Sequence, residues 1–201
     1  MMTSESAVLH ALRCIGSAEA GRVATAAGLA EADAESELID LAVAGLVTHD
    51  RGPFGGWTIT PAGKAADAAR VAAELDAAGA REVVAGVYDR FLGLNQELLE
   101  LCTAWQTRSV DGAIVPNDHA DAAYDDRVLG LLDEFAPRAD AVCAELAAVL
   151  PRFGRYATRL GGAVARVGAG ERQYFVDDLE AYHTVWFQLH EDLLVTLGIP
   201  R

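Results

Sequence analysis

Residues 38–66, LIDLAVAGLVTHDRGPFGGWTITPAGKAA, decide the fold of the first part of the chain. Val47 and the segment 57–59 have the aromatic and β-branched side chains typical of two short strands. Glycine and proline supply a turn between these strands, at Gly52-Pro53 and Gly55-Gly56. Thr60-Pro61 then predicts the start of a helix, with threonine as its cap and proline in its first turn. The stretch therefore predicts a helix end, a β-hairpin and a new helix.

Three short helices are predicted upstream of this hairpin. Apolar side chains recur at helical spacing over 6–15, 17–27 and 35–44, and glycines stand near the ends of the second and third segments. The order is therefore three helices, strand, turn, strand and helix. Such an order is that of a winged helix-turn-helix.

The same residues resemble a known family. The pattern of two leucines followed by GLV, the glycine-bearing hairpin and TPAG, all within 38–66, is similar to the recognition helix and wing of MarR-like winged-helix regulators. The resemblance implies that residues 1–75 form a winged helix-turn-helix domain with a small β-hairpin wing. It also implies double-stranded DNA as a partner, with the third helix in the major groove and the wing near the backbone.

Four residues are the candidate DNA contacts on this basis: Arg22, Ser36, Glu37 and Arg51. The charge of the chain opposes them, since 30 acidic against 16 basic residues give a formal net charge of −14. That charge excludes a protein that coats nucleic acid in general. Five acidic residues and no base lie within 31–40, the segment that would read DNA. A winged helix retained as a scaffold or as a protein-docking module is therefore the alternative.

The remainder of the chain predicts a helical bundle. Helices are expected over 81–108, 119–136, 138–150, 152–167 and 172–197, with a loop over 109–118 and a break at Pro137. A continuous helical region near 62–108 is expected to join the two parts. The segments FLGLNQELLELCTAWQ (91–106), PNDHADAAYD (116–125) and YHTVWFQLHEDLLVTLG (182–198) resemble a helical module found behind winged helices in bacterial regulators of the MarR type, a module with no established chemistry. The fold class is thus mainly α, with a helical ligand-sensing and dimerisation domain over 76–201.

Polar side chains fall on the apolar faces of two of these helices. Helical spacing places them inward, whereas Glu191 and Asp192 are expected to face solvent. Buried polar groups need hydrogen-bond partners, so they either satisfy one another within the core or line a ligand pocket between helices. The candidate ligand-binding residues are Asn95, Gln106, Tyr182, His183, Trp186 and His190.

Three further patterns admit two interpretations each. Residues 117–121, NDHAD, suit either an acid–base pair, with an aspartate orienting His119, or a helix cap. Glu180 and His183 have the spacing of half a di-iron site, but the second half is absent, so no metal is expected. An arginine series in 151–172 forms either a solvated face paired with acids from 118–140 of the same chain or of a dimer partner, or a contact for an anion or for an acidic partner such as the winged helix itself. The candidates for that contact are Arg152, Arg155 and Arg159.

These patterns together predict a one-component transcriptional regulator that binds DNA as a homodimer and responds to a small-molecule effector. The alternative is a small-molecule-binding protein or enzyme in which the helical half carries the activity. No catalytic residue and no cofactor is predicted, because the chain has no phosphate-binding, nucleophile-elbow or zinc motif. Three scattered cysteines argue against a disulfide framework, and neither a signal peptide nor a membrane span is recognisable. We therefore expect a reduced, cytoplasmic protein.

Overall fold

The computed structural model describes residues 2–52 and 55–200, and the chain is mainly helical. The first part comprises α1 (Ser4–Ile15), α2 (Ala20–Ala27), α3 (Glu31–Val43), β1 (Val47–Asp50), β2 (Gly56–Ile59) and α4 (Pro61–Ala78). The second part comprises α5 (Arg81–Gln106), β3 (Thr107–Val110), β4 (Ala113–Pro116), α6 (Ala122–Val149), α7 (Gly154–Gly168) and α8 (Tyr182–Leu197), with short 3₁₀ turns at Pro151–Phe153 and Arg172–Tyr174. We call these parts the N-terminal unit and the helical half.

The N-terminal unit has its own apolar core. Strands β1 and β2 pair antiparallel, with Val47 opposite Ile59, as the sequence predicted. The backbone of Trp57 also exchanges two hydrogen bonds with Ala18, which ties the hairpin to the start of α2. Pro53 and Phe54, part of the predicted turn, lie outside the described residues. The core side chains come mainly from α1, α2, α3 and the hairpin: Val8, Leu9, Leu12, Val23, Leu38, Leu41, Val47 and Trp57.

The start of α4 is fixed by the TPAG segment. The Thr60 hydroxyl accepts a hydrogen bond of 3.0 Å from the backbone N–H of Gly63, which is the cap expected from the sequence. The helix then passes so close to the preceding chain that a Cβ built on Gly63 falls 2.0 Å from the carbonyl oxygen of Leu46. Only glycine fits at this position, so the motif has a packing role.

The helical half differs from the prediction in four places. Residues 107–116 form the hairpin β3–β4 and not a loop, because Asp111 and Gly112 both adopt positive φ and close a tight turn. Helix α6 continues through Pro137. Helix α8 begins at Tyr182, about ten residues later than expected. The connection over 62–108 is interrupted where Gly79 ends α4 in a left-handed conformation.

A second apolar core fills the helical half. Helix α5 packs on α6 and α8, and α7 packs on α6 and α8. Large aromatic side chains stack at the centre of the core: Phe91, Phe135, Tyr182 and Trp186. No helix among the described residues is long and apolar enough to cross a membrane.

The two units meet where α1 and α4 pack against α8. Asp192 of α8 lies in this contact with 0% of its surface exposed. The expectation that it faces solvent was wrong, because the N-terminal unit covers that face of α8. A buried carboxylate requires compensating partners, and these define the site described next.

Candidate functional site

Asp192 is the centre of a buried group of charged side chains between the two units. Its carboxylate accepts hydrogen bonds from Arg155 Nη2 and from the Tyr156 hydroxyl, both at 2.9 Å. Arg152 Nη1 also donates to it, and His10 Nε2 lies 3.1 Å from Oδ1. These contacts hold the pKa of Asp192 well below its usual range: burial raises that pKa, but Arg152, His10 and Arg155 outweigh it.

His10 of α1 lies between two carboxylates. Its Nδ1 is 3.1 Å from Asp67 of α4, and its Nε2 faces Asp192. Burial lowers the pKa of His10, but the neighbouring charges of Cys14 and Asp192 and the hydrogen bonds to both aspartates raise it well above its ordinary value. We infer that the imidazole is protonated and donates from both nitrogens. Arg152 Nη1, 3.2 Å from His10 Nε2, is therefore a neighbouring cation and no hydrogen-bond donor to it.

Arg152 completes the contact between the units. Its Nε donates to Glu74 of α4 at 2.7 Å, and its Nη2 donates to the Thr196 hydroxyl at 2.7 Å. With His10 protonated, three cations face three anions, so the group is electrically neutral. We call it the charge cluster: His10, Asp67, Glu74, Arg152, Arg155 and Asp192.

The charge cluster fits poorly as a metal centre. Ligand atoms of His10, Cys14 and Asp192 lie within 4.8 Å of one another, which is the spacing that a metal ion needs. However, Arg152 and Arg155 already contact the same carboxylate, and two guanidinium cations would repel a third positive charge. The cluster is therefore a junction of side chains that bind one another.

Two adjoining clefts open beside this junction. Their volumes are about 750 and 410 Å³, and both are lined by Met2, Thr3, Glu74 and Pro151. Small apolar side chains form most of the remaining walls: Ala7, Ala27, Leu29, Ala73, Ala77, Ala78, Val149 and Leu150. Each cleft thus has one wall from the N-terminal unit and one from the α6–α7 junction.

Positive charge dominates the polar lining of the clefts. Arg70 lines the larger cleft, Arg152 and Arg155 line the smaller, and Glu74 is the one acid on either wall. Arg70 Nη1 and Arg155 Nε are buried and have no hydrogen-bond partner among the described residues. Buried N–H groups of this kind are typical sites for an anionic oxygen. The clefts therefore offer cationic donors beside apolar walls in an otherwise acidic protein.

The predicted ligand-binding residues lie elsewhere, and they do not all come together. Trp186 Nε1 donates to Asn95 Oδ1 at 3.1 Å, so these two satisfy each other as one interpretation required. His190 packs on the rings of Tyr88 and Phe91. Tyr182 is buried, and burial raises its pKa, while burial lowers the pKa of His183. Tyr182 and Trp186 belong to the core of the helical half, and Asn95, His183 and His190 are half-buried.

Gln106 is a correction, since it was expected to face inward. Its side chain is exposed, because α5 ends at this residue and the neighbouring Trp105 takes the buried position instead. Trp105 has 2% of its surface exposed and packs on Phe175.

The four candidate DNA contacts occupy different surroundings. Ser36 and Arg51 are exposed on α3 and on the hairpin. Glu37 is half-buried and accepts a hydrogen bond from Ser4. Arg22 lies close to charged residues of the helical half. Burial lowers the pKa of Arg22, the negative charge of Glu180 raises that pKa, and the positive charge of Arg159 lowers it further. Arg22 thus belongs to the contact between the units.

The arginine series is paired within the chain. Arg159 binds both oxygens of Glu180 at 3.0 Å, and Arg166 binds Glu171. Arg152 and Arg155 pair with Asp192 as described. The expectation that acids from 118–140 supply the partners was wrong for these four arginines. Other acids lie closer to them: Glu74 of α4, Asp192 of α8, and Glu171 and Glu180 between α7 and α8. The expectation holds for Arg172, which donates to Asp125 at 3.0 Å.

Sequence reasoning missed His10, Asp67 and Glu74. The helical positions of two of them could have indicated their burial. His10 and Asp67 fall among the apolar residues of α1 and α4, where a polar side chain must have a partner. Such a position identifies a buried polar residue but not which one it meets, since His10 and Asp67 are far apart in the sequence. Comparisons with protein-family models, with curated proteins and with solved structures gave no match to this chain.

Proposed function

We propose that the protein is a one-component regulator in which the N-terminal unit is a winged helix-turn-helix and the clefts beside the charge cluster bind a small effector. The observation that carries this proposal is a pair of buried N–H groups without a hydrogen-bond partner among the described residues, Arg70 Nη1 and Arg155 Nε, on two arginines that line the clefts between the units. The same guanidinium groups pair through their other nitrogens with Glu5 and Asp192. Ligand sites commonly occur at such junctions.

The effector is an anion with an apolar body. The N–H groups of Arg70 and Arg155 that have no hydrogen-bond partner favour a carboxylate or a similar group, and the alanine and valine walls favour an aliphatic or aromatic body. A ligand seated there touches the start of α1, the middle of α4 and the α6–α7 junction. It therefore favours one relative position of the two units over others, which is the thermodynamic requirement for a regulated output.

The first candidate output is binding of double-stranded DNA by a homodimer. The order of helices and hairpin in the N-terminal unit supports it, as do the exposed Ser36 on α3 and Arg51 on the wing. Glu37 is an acceptor for a cytosine amino group if its bond to Ser4 opens. Because α3 is acidic, phosphate contacts must come from few side chains, and we expect weak binding that is confined to low salt.

Selection of enriched sequences from random duplexes at low salt, with and without an apolar carboxylate, tests this output. Arg51→Ala is expected to weaken binding to every sequence and to reduce its salt dependence, while Arg81→Ala on the remote start of α5 leaves both unchanged. Recovery of no enriched sequence under either condition contradicts DNA as the partner.

A second candidate output is a protein partner, and the surface of α3 favours it. Val43 is 86% exposed and Ile39 is 51% exposed, one turn apart, beside the acidic side chains of the same helix. Such a face suits a partner with an apolar and basic surface. This output predicts effector binding without DNA binding, which the selection experiment separates from the first.

Calorimetry with benzoate and decanoate as probes tests the effector site itself. Arg70→Gln is expected to weaken their binding about tenfold, since one charge-assisted hydrogen bond is lost. Arg81→Gln, which removes an exposed arginine paired with Asp76, is the matched control and leaves binding unchanged. Benzyl alcohol, the uncharged analogue of benzoate, is expected to bind more weakly than benzoate. Equal binding of the acid and the alcohol contradicts an anion site.

A further inference from the structure

A second polar site lies at the far side of the helical half, where the β3–β4 hairpin meets α6. His119 Nδ1 is 3.0 Å from Asp125 Oδ2, and Asp125 is completely buried. Arg172 Nη1 donates to the same oxygen at 3.0 Å. The His119 and Arg172 nitrogens are therefore at most about 6 Å apart, because they share one acceptor.

The hydrogen bonds fix the tautomer of His119. A carboxylate only accepts, so Nδ1 must carry the hydrogen that faces Asp125. Asn117 Nδ2 lies 3.2 Å from Nδ1, but its two hydrogens are already donated to Trp105 O and Asp125 Oδ1. Nε2 forms no hydrogen bond with any described residue, so in the neutral imidazole its lone pair is available.

The backbone of His119 is unusual, and part of its imidazole is exposed. His119 has φ +56°, and only one other non-glycine residue of the described chain, Asp111, has a positive φ. A histidine in this conformation costs about 1 kcal/mol or more, and such strain is concentrated at functional sites. The imidazole packs on Trp105 with ring centres 4.4 Å apart, yet 38% of the His119 side chain is exposed.

We propose that His119 is a catalytic general base, with Asp125 as its positioning residue and Arg172 as the anchor for an anionic group, in hydrolysis of a small carboxylate-bearing ester. A buried carboxylate on Nδ1, and an Nε2 with no hydrogen-bond partner among the described residues of a partly exposed side chain, are the arrangement that proton transfer requires. Nε2 takes a proton from water while the water oxygen bonds to the ester carbonyl carbon. The bond from that carbon to the leaving oxygen then breaks, and the proton passes from Nε2 to that oxygen. This site is separate from the clefts and does not depend on the proposed regulator function.

The test compares two exposed histidines, one with a buried carboxylate on its imidazole and one without. His49 is exposed and packs on Trp57 with ring centres 4.5 Å apart, as His119 packs on Trp105. The pair thus differs in the buried carboxylate.

Hydrolysis of p-nitrophenyl hemisuccinate, which is anionic, and of p-nitrophenyl acetate, which is neutral, is measured with the full chain. His119→Asn is expected to lower the rate on the anionic ester about 100-fold, and His49→Asn leaves it unchanged. Asparagine tolerates positive φ, so the first variant keeps the backbone.

Two further variants separate catalysis from a structural role. Arg172→Gln is expected to reduce the rate on the anionic ester about tenfold while leaving that on the acetate unchanged. Asp125→Asn is expected to remove the Nδ1-protonated tautomer of His119 from the nitrogen NMR spectrum and to lower both rates, with the fold checked by circular dichroism. Equal rates for wild type and His119→Asn, or a wild-type spectrum without the Nδ1-protonated tautomer, overturn the proposal.

Discussion

At the scale of single residues, the charge cluster is costly to assemble and costly to break. Removing one member leaves its partners buried without compensation, and such changes typically cost about 3–5 kcal/mol. Asp192→Asn is expected to destabilise the protein by about this amount, because Arg152 and Arg155 lose their shared carboxylate. Urea unfolding measures the change. Glu171→Gln, which breaks the exposed pair with Arg166, serves as the control and leaves the midpoint nearly unchanged.

The protonated His10 gives stability a particular dependence on pH. Because the pKa of His10 is raised in the folded state, the folded protein binds the proton more tightly than the unfolded chain. Its stabilising contribution is complete below the ordinary histidine pKa and is lost as the pH rises through the raised value. The difference in melting temperature between wild type and His10→Asn is therefore expected to shrink at alkaline pH. A difference that stays constant with pH contradicts a protonated His10.

How far sequence predicts such residues depends on the range of their contacts. The Thr60 hydroxyl caps a backbone N–H only three residues away, so the TPAG segment alone predicted this cap correctly. The burial of Asp192 did not follow, because helical spacing within α8 gives no information on which face α1 covers. The same helical periodicity placed the candidate pocket residues. It wrongly placed Gln106 on the inward face, because the helix ends at that residue. Contacts between distant segments need the tertiary structure.

At the scale of elements, local patterns predicted the N-terminal unit better than the helical half. The first hairpin was recognised from its turn glycines, whereas β3–β4 was missed although Asp111-Gly112 is a favoured hairpin turn. Pro137 was expected to break α6, but packing of the helix on α5 and α7 maintains it. Helix α8 starts late because 175–181 folds back, with the backbone N–H of His183 donating to Phe175 O. Tertiary contacts override local preference in each case.

The TPAG segment allows a prediction at this scale. Gly63→Ala is expected to destabilise the protein by about 1–3 kcal/mol, because the new methyl group collides with the Leu46 carbonyl and with Ile59. Gly86→Ala in α5 is the matched control, since nothing lies within 4 Å of a Cβ built there. It is expected to be neutral or to stabilise by up to about 1 kcal/mol through helix propensity. Thermal melting of both variants checks this, and a neutral Gly63→Ala contradicts the close approach.

At the scale of the whole molecule, the two units are joined through the charge cluster and through apolar packing, since Leu75 of α4 belongs to the core of the helical half. The N-terminal unit and the helical half each bury their own side chains, and His10, Asp67 and Glu74 from one unit meet Arg152, Arg155 and Asp192 from the other. An apolar junction would join the units firmly but without preference for one angle. Directed hydrogen bonds select one angle, and the adjoining clefts give a ligand access to the same junction.

This arrangement predicts that the charge cluster couples the unfolding of the two units. In the wild type, hydrogen exchange in urea is expected to report the same opening free energy for peptides from α3 and from α6, because neither unit opens alone. In Asp192→Asn, we expect the α3 peptides to exchange at a lower opening free energy than the α6 peptides, since the smaller core loses its external support. Gly63→Ala is a useful comparison, because it weakens the N-terminal unit while leaving the charged contact in place. Equal opening free energies for the α3 and α6 peptides in Asp192→Asn would show that apolar contacts alone join the units. The buried charges would then serve only to position the arginines of the clefts.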